Sequence, residues 1–218
     1  MARQAQRTLR KKTPRKRRVR ILLTCIGRRV ELLRAFRLAG KALGIRLEIH
    51  GADATPLSPA IQLVDYPHIV PAINSGKYID ALADIVQREK IDLLIPLIDS
   101  ELPAISSAVE RFSALGCRTL VSSESVVNVC RDKLMTYRKL TEAGIDTPAT
   151  SLWIVVVEQK RHRFPYFLKP RSGSAARGNY VVRTLNELQT FGAQVKDAII
   201  QEFVEGAEYT LDIYIDFE

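Results

Sequence analysis

The sequence predicts an α/β protein: a parallel sheet wrapped by helices, followed by a smaller α+β domain. Three observations predict it. Between residues 19 and 121, short apolar runs alternate with segments of helical period, the rhythm of repeated strand–helix–strand units. Beyond residue 123, two short helices lead into a series of short strands. The last of these, 208–217, alternates Tyr209, Leu211, Ile213, Ile215 and Phe217 with polar residues, as an antiparallel strand with one wet face does. Finally, 218 residues suffice for one large or two modest domains, and 46% hydrophobic with 26% charged residues is ordinary for a soluble globular chain.

Taken in order, residues 19–24 read as a buried strand and 25–29 as the turn after it. Val30, Leu33, Phe36, Leu38, Ala39 and Leu43 form the apolar stripe of a helix over 30–43, closed by Gly44. A strand at 45–50 precedes a loop over 51–59, where Pro56 and Pro59 forbid regular structure. Strands are expected at 64–70, 92–96 and 117–121, and helices at 78–87 and 99–115. Short connections between such units make the sheet parallel, with helices on both faces and ligands beyond the carboxyl ends of its strands. Three loops fall there: Gly27-Arg28-Arg29, the loop holding Asp53, and Asp99-Ser100-Glu101. Asp53 and Asp99 suit either capping or ligand contact. Arg28 and Arg29 open a helix, where a cation opposes the dipole, and an anionic ligand would explain them. Gly27 has no second or third glycine at dinucleotide spacing, so a nicotinamide enzyme is not predicted.

The second half begins with helices over 123–130 and 132–143. Asp132 suits the first turn of the second helix, and Gly144 ends it. Lys133 is again a cation at a helix start. Residues 151–159 leave their type open, since Trp153 to Val157 favour a strand while residues 158–163 are highly charged. A short strand over 165–168 delivers Lys169, and Pro170 stops the ladder. Ser172, Gly173, Ser174, Ala175, Ala176, Arg177 and Gly178 then form a loop too small-sided to fill a core. Such residues let backbone N–H groups turn toward an anion and let the loop move. Alone, the stretch fits a phosphate clamp or a hairpin loop beside a surface lysine. Residues 181–183 read as a strand and 186–195 as a helix, with Thr184 as cap and Glu187 at the capping-box position. A strand over 198–204 ends in the turn Glu205-Gly206-Ala207.

Charge is unevenly distributed. Residues 1–20 hold ten Lys or Arg and no acid, leaving 23 basic against 24 acidic residues in the body. The segment 1–18 is expected to be a disordered basic tail. It lacks aromatics to stack bases, and the neutral body counts against nucleic acid as a partner. The apolar run after Val19 is broken by Arg20 and followed by Arg28-Arg29, so no secretory signal is read there. No stretch reaches the ~20 apolar residues of a membrane span. Cys25, Cys117 and Cys130 are odd in number and show no metal spacing, and read as reduced thiols in or near the core of a cytoplasmic protein.

Several motifs then occur in one order: Asp132-Lys133 opening a helix, Gly144-Ile145-Asp146-Thr147-Pro148 closing it, and Tyr166-Phe167-Leu168-Lys169-Pro170. The Gly/Ser loop, Gln201-Glu202-Phe203-Val204-Glu205-Gly206 and Glu208-Tyr209-Thr210 follow. In this order the sequence resembles the ATP-grasp superfamily. Thr24-Cys25-Ile26-Gly27-Arg28-Arg29, the run from Ala52 to Ala60, and the run from Ile95 to Pro103 are similar to the branch of the carbamoyl phosphate synthase large subunit. The resemblance spans 19–217. It implies a Rossmann-like pre-ATP-grasp domain over 19–122 and the N-terminal portion of an ATP-grasp domain over 123–218.

Carried to this sequence, the resemblance implies that Lys133 and Lys169 contact ATP phosphates, and that the loop from Ser172 to Gly178 closes over them through its amides. Arg177 adds a phosphate contact or stands in solvent. The resemblance places the Gln201 side chain and the Glu202 carbonyl on the adenine amino group, the Val204 N–H on the ring, with Phe203 between them, and Glu208 on the ribose. The implied reaction joins a carboxylate to an amine or another nucleophile through an acyl-phosphate, with ATP and Mg2+. Arg28, Arg29, Asp53, Asp99 and Glu101 are candidates for the acceptor side. The family's metal ligands are expected beyond residue 218, because Asp212 and Asp216 do not match their positions. The chain alone is therefore not expected to turn over. A non-catalytic nucleotide-binding module is the alternative, binding through the tail a weaker one, and homo-oligomerisation is left open.

Overall fold

The computed structural model describes residues 17–173, 176–211 and 213. The chain divides into two compact units, the first ending at Ser122 and the second beginning at Ser123. In the first, the elements run β1 (Arg18–Thr24), α1 (Val30–Ala42), β2 (Arg46–Asp53), β3 (Tyr66–Ile69), α2 (Tyr78–Glu89), β4 (Leu93–Pro96), α3 (Leu102–Ser106), α4 (Val109–Ala114) and β5 (Arg118–Thr119). The five strands are parallel in the order β3-β2-β1-β4-β5. The chain moves outward from β1 to β3, then crosses back to place β4 on the other side of β1. That reversal brings the loops after β1, β2 and β4 to one edge, the usual seat of a ligand in an open parallel sheet.

Apolar residues on both sides of each strand explain why both faces are covered. Leu22, Ala52 and Leu94 pack on one side with Leu82, Val86 and Phe112. Ile21, Leu23, Ile49 and Ile95 pack on the other with Leu33 and Ile61. Three expectations need correction here. Helix α1 stops at Ala42, and Leu38 and Leu43 are 69% and 74% exposed, so neither belongs to the buried stripe. Strand β2 continues to Asp53, because β3 pairs with its second half. The helix expected over 99–115 is a 3-10 turn, Asp99–Glu101, followed by α3 and α4. Ser106 and Ser107 turn their hydroxyls back to the carbonyls of Pro103 and Ala104 at 3.1 and 3.0 Å, a bonding pattern that competes with helix continuation.

The second unit runs α5 (Glu124–Arg131), α6 (Lys133–Glu142), β6 (Thr150–Leu152), α7 (Trp153–Val157), β7 (Tyr166–Pro170), β8 (Tyr180–Val182), α8 (Leu185–Gln194) and β9 (Ala198–Glu202). Its four strands are antiparallel in the order β6-β9-β7-β8. Leu168, Val182 and Ile200 form the buried face with Val156 and Leu188. The Trp153–Val157 run is a helix despite its strand propensity, since burial of Val156 and a 2.9 Å bond from the Trp153 indole to the Leu188 carbonyl decide it.

Pro170 does not stop the ladder: it lies within β7 opposite Ala198, on the side where only β9 still pairs. Thr184 caps α8 by accepting from Glu187 N, while the Glu187 carboxylate accepts from Arg183 N, one residue before the usual capping-box partner. Cys117 is buried and Cys25 partly so, but Cys130 is exposed, contrary to a near-core reading. Of the strand expected over 208–217, residues 208–211 and 213 are described; none is in a strand, and Tyr209, Leu211 and Ile213 are exposed. An alternating strand forms only with a partner, and these residues have none among the described residues. The rest of that segment, and the basic tail through residue 16, lie outside the described residues.

Candidate nucleotide and acceptor sites

In the second unit, alternation along β7 puts Leu168 in the core and Lys169 on the opposite face, beside Phe167. The Lys169 ammonium lies 5.5 Å from the Phe167 ring centroid and donates to Gln201 Oε1 at 2.7 Å. Gln201 in turn donates through Nε2 to Thr150 Oγ1 at 2.9 Å. A chain of three side chains on β7, β9 and β6 thus fixes the cation against neutral partners.

Lys133 reaches the same loop from α6. Asp132 caps that helix, accepting from Leu134 N and Met135 N, and also holds the Arg171 guanidinium, with Arg171 Nε at 2.8 Å. The backbone closes the connection, since Lys133 N donates to Arg171 O at 3.0 Å. The Lys133 ammonium then donates to the carbonyls of Pro170 and Gly173 at 3.1 and 3.2 Å. Burial pushes both lysines below the ordinary ammonium value; Arg131 adds to the effect at Lys133, and Lys133 adds to it at Lys169. Asp132 partly offsets the effect at Lys133, and two cations held near each other favour a multivalent anion. The Asp132–Arg171 pair that aims Lys133 was not identified from sequence. A helix-opening Asp facing the Arg just after a strand-end proline was its signal.

The loop itself bends through positive φ at Gly173 (117°), Ala176 (53°) and Gly178 (76°). At Gly178 a Cβ would also meet Pro170 Cγ at 3.2 Å. The amides of Ser172, Gly173, Arg177 and Gly178 have no backbone acceptor among the described residues. Ser172, Gly173 and Arg177 are exposed, and Ser174 lies outside the described residues. Glu202 N donates to Ala149 O at 2.9 Å, and Ala149 N reaches the Glu202 carboxylate at 3.4 Å. Val204 and Glu208 are exposed and Phe203 partly buried. A cavity of about 410 Å³ is lined by Tyr166, Ile200, Glu202 and Phe203 on the core side of the sheet. None of the lysines lines it.

In the first unit, a second cavity of about 410 Å³ opens at the carboxyl edge, with Cys25, Arg28, Arg29, Asp53, Ser58 and Tyr78 in its wall. Asp53 serves the loops around it: its carboxylate accepts from Gly27 N at 2.8 Å and Thr55 N at 3.1 Å. Arg28 is exposed, and Arg29 donates to Cys25 O at 3.2 Å. Asp99 is exposed at the start of its 3-10 turn. Glu101 is fully buried and accepts from Tyr78 OH at 2.5 Å, Leu97 N at 2.8 Å and Ile98 N at 3.1 Å. Its carboxylate therefore shapes the loop after β4 from inside. Cys25, at φ 48°, stands 3.5 Å from Tyr78 Oη; burial pushes its thiol up to about 12. Such a thiol is a poor nucleophile.

A parallel α/β unit followed by an antiparallel unit carrying two converging lysines and a glycine-bearing loop defines a class. Residues 21–120 match the family described as PylC-like, N-terminal domain, and residues 130–218 match the ATP-grasp domain. The chain belongs to the ATP-grasp superfamily. A formate-dependent phosphoribosylglycinamide formyltransferase of Prochlorococcus marinus is 27% identical over 209 residues, 88% of this chain and 49% of the relative. A carbamoyl-phosphate synthase of Methanobrevibacter smithii is 22% identical over 158 residues, 70% of this chain and 42% of the relative. Among solved structures, an L-amino acid ligase from Bacillus licheniformis matches with TM-score 0.68 at 18% identity, over 88% of this chain and 45% of its own. The chain spans about half the length of the relatives it matches.

Proposed function

We propose that this chain carries the ATP-binding part of a ligase that joins a carboxylate to an amine or another nucleophile through an acyl-phosphate. The observation that carries this reading is the nearness of Lys133, which reaches the Gly173 carbonyl, and Lys169, which reaches Gln201, beside a loop whose Ser172, Gly173, Arg177 and Gly178 amides have no backbone acceptor among the described residues. In this reading phosphate oxygens replace the carbonyls of Pro170 and Gly173 on Lys133, and Gln201 on Lys169. The loop amides from Ser172 to Gly178 supply directional donors that neither lysine can. Gln201, once released, turns to the adenine amino group beside the Glu202 carbonyl. Val204 N–H meets the ring, and Glu208 accepts from ribose hydroxyls at the end away from the lysines.

Bound ATP supplies a phosphoryl group that activates a carboxylate toward a nucleophile. The chain's share is positioning and charge neutralisation, and the two lysines leave a triphosphate of about −4 incompletely balanced. Magnesium is proposed to complete the charge balance, with its protein ligands expected beyond residue 218. The first-unit cavity, with Arg28 and Arg29 at its wall, is the proposed acceptor site. The relative named as an L-amino acid ligase supports ligation as the reaction class.

Calorimetric titration of ATP with magnesium into the chain, beside Lys169→Ala, tests the clamp. The substitution is expected to weaken binding tenfold or more, on the order of 1.4 kcal/mol. Equal affinity of the two proteins would overturn the assignment.

A further inference from the structure

Strand β3 is the edge of the first sheet, four residues long, and one contact in it is not explained by packing alone. His50 on β2 is 2% exposed, and its Nδ1 lies 3.0 Å from Nε2 of His68 on β3. The two rings are nearly parallel at 5.3 Å, and Tyr66 stacks on His50 at 4.5 Å. The other nitrogen of His50, Nε2, is buried without a partner.

A single proton bridges the two rings. A buried orphan N–H costs more than a buried lone pair, which assigns the bridging proton to His50 Nδ1 and the accepting lone pair to His68 Nε2. Protonating His68 sets two N–H groups against each other. Protonating His50 creates a buried Nε2–H with no acceptor. Protonated His50 still donates Nδ1–H to His68, so what either event adds to the closed pair is an opposed or orphaned buried N–H, and that cost favours opening. The charged groups around the pair are Glu89 and Arg88 at the end of α2, Glu48 on β2 and Arg20 on β1. Glu89 and Glu48 favour the cation and the arginines oppose it, while burial keeps both rings below the ordinary histidine value.

We infer that the His50–His68 bridge is a proton-released latch on β3, and that β3 carries one wall of the first-unit cavity with it. The coupling is covalent and short. Val70 N donates to Asp53 O at 2.9 Å, and the residues directly after β3, from Val70 through Pro71 and Ala72 to Ile73, line the cavity together with Arg28 and Asp53. At the other end, Asp65 is held separately, accepting from Ile49 N and pairing with Arg37 at 2.9 Å. Loss of the bridge therefore leaves the wall end of β3 on its backbone bonds alone, while its start keeps the added ties of Asp65. This holds whatever ligand fills the cavity. The sign follows from depressed values: the open state binds protons more readily, so closure is full at neutral pH and is lost as pH falls below about 6.5.

Hydrogen exchange of the full chain, read by mass spectrometry and corrected for the intrinsic pH dependence of exchange, tests the latch. Between pH 7.5 and pH 5.5, peptides covering 64–73 are expected to gain severalfold in exchange rate. Peptides covering β1 are expected to stay protected. His68→Gln keeps an acceptor for His50 and removes one of the two titrating rings, and is expected to give a smaller pH response than the parent. An unchanged pH response in His68→Gln would overturn the latch, as would uniform opening of the whole unit or no acceleration in the parent. If the variant fails to fold, imidazole proton shifts of the parent decide: opening must follow the His68 titration, and opening at a different pH overturns the inference.

Discussion

Single residues in this chain often do two jobs, and Asp132 shows how the jobs separate. It caps α6 through two backbone amides and anchors Arg171, and that guanidinium holds its carboxyl below the ordinary value. A carboxyl depressed in the folded state stabilises the fold above its unfolded value, and the contribution is lost as pH falls through the folded value. Asp132→Asn keeps the cap and is expected to flatten the acid-side slope of the urea midpoint between pH 5 and pH 3. Asp132→Ala loses the cap as well, costing about 1–2 kcal/mol. A pH slope identical to the parent's in the Asn variant would contradict the ion-pair account. Tyr78→Phe removes one donor from the fully buried Glu101 carboxylate and is expected to cost about 1–3 kcal/mol in denaturant unfolding. Asp132 was legible as a helix-start residue, but its Arg171 partner was not; Glu101 reads from sequence as an acceptor-side candidate, and only the fold brings Tyr78 from α2 to meet it.

At the scale of elements, legibility followed the source of each signal. Strands such as β1 and β4 are readable because apolar runs bounded by turn residues have little other use. Helix α6 is readable because Asp132 and Gly144 mark its ends. The strand-and-helix choice at Trp153–Val157 is not local at all; it rests on the contact between α7 and α8. That contact is tight. A Cβ at Gly192 would run into the Trp153 indole, so Gly192→Ala is expected to displace α7 and cost about 1–3 kcal/mol, read by denaturant unfolding. A neutral effect would mean that α7 contributes little. The candidate lysines were legible from strand-end and helix-start positions. Their neutral restraints, Gln201 on one side and two carbonyls on the other, were not, because they arise from sheet register.

Across the whole molecule, the two units keep separate cores: Leu22 and Phe112 belong to one, Leu168 and Ile200 to the other. Leu168→Ala is expected to destabilise the second unit by about 2–5 kcal/mol. Exchange protection should fall in β9 and persist in β1; a parallel loss in both would show that the units fold as one cooperative body. The parallel unit was the more legible of the two, since each βαβ repeat states its own direction. The antiparallel unit depends on pairings between strands far apart in sequence, such as β6 with β9, which no local pattern announces.

The chain has one tryptophan, and it lies in α7 with its indole N–H on the Leu188 carbonyl. Its emission therefore reports from within the second unit. On the proposed reading, nucleotide near Lys169 would have an optical reporter within its own unit, whereas the first unit carries no tryptophan. A dye or a second indole placed in the first unit would give each half its own colour.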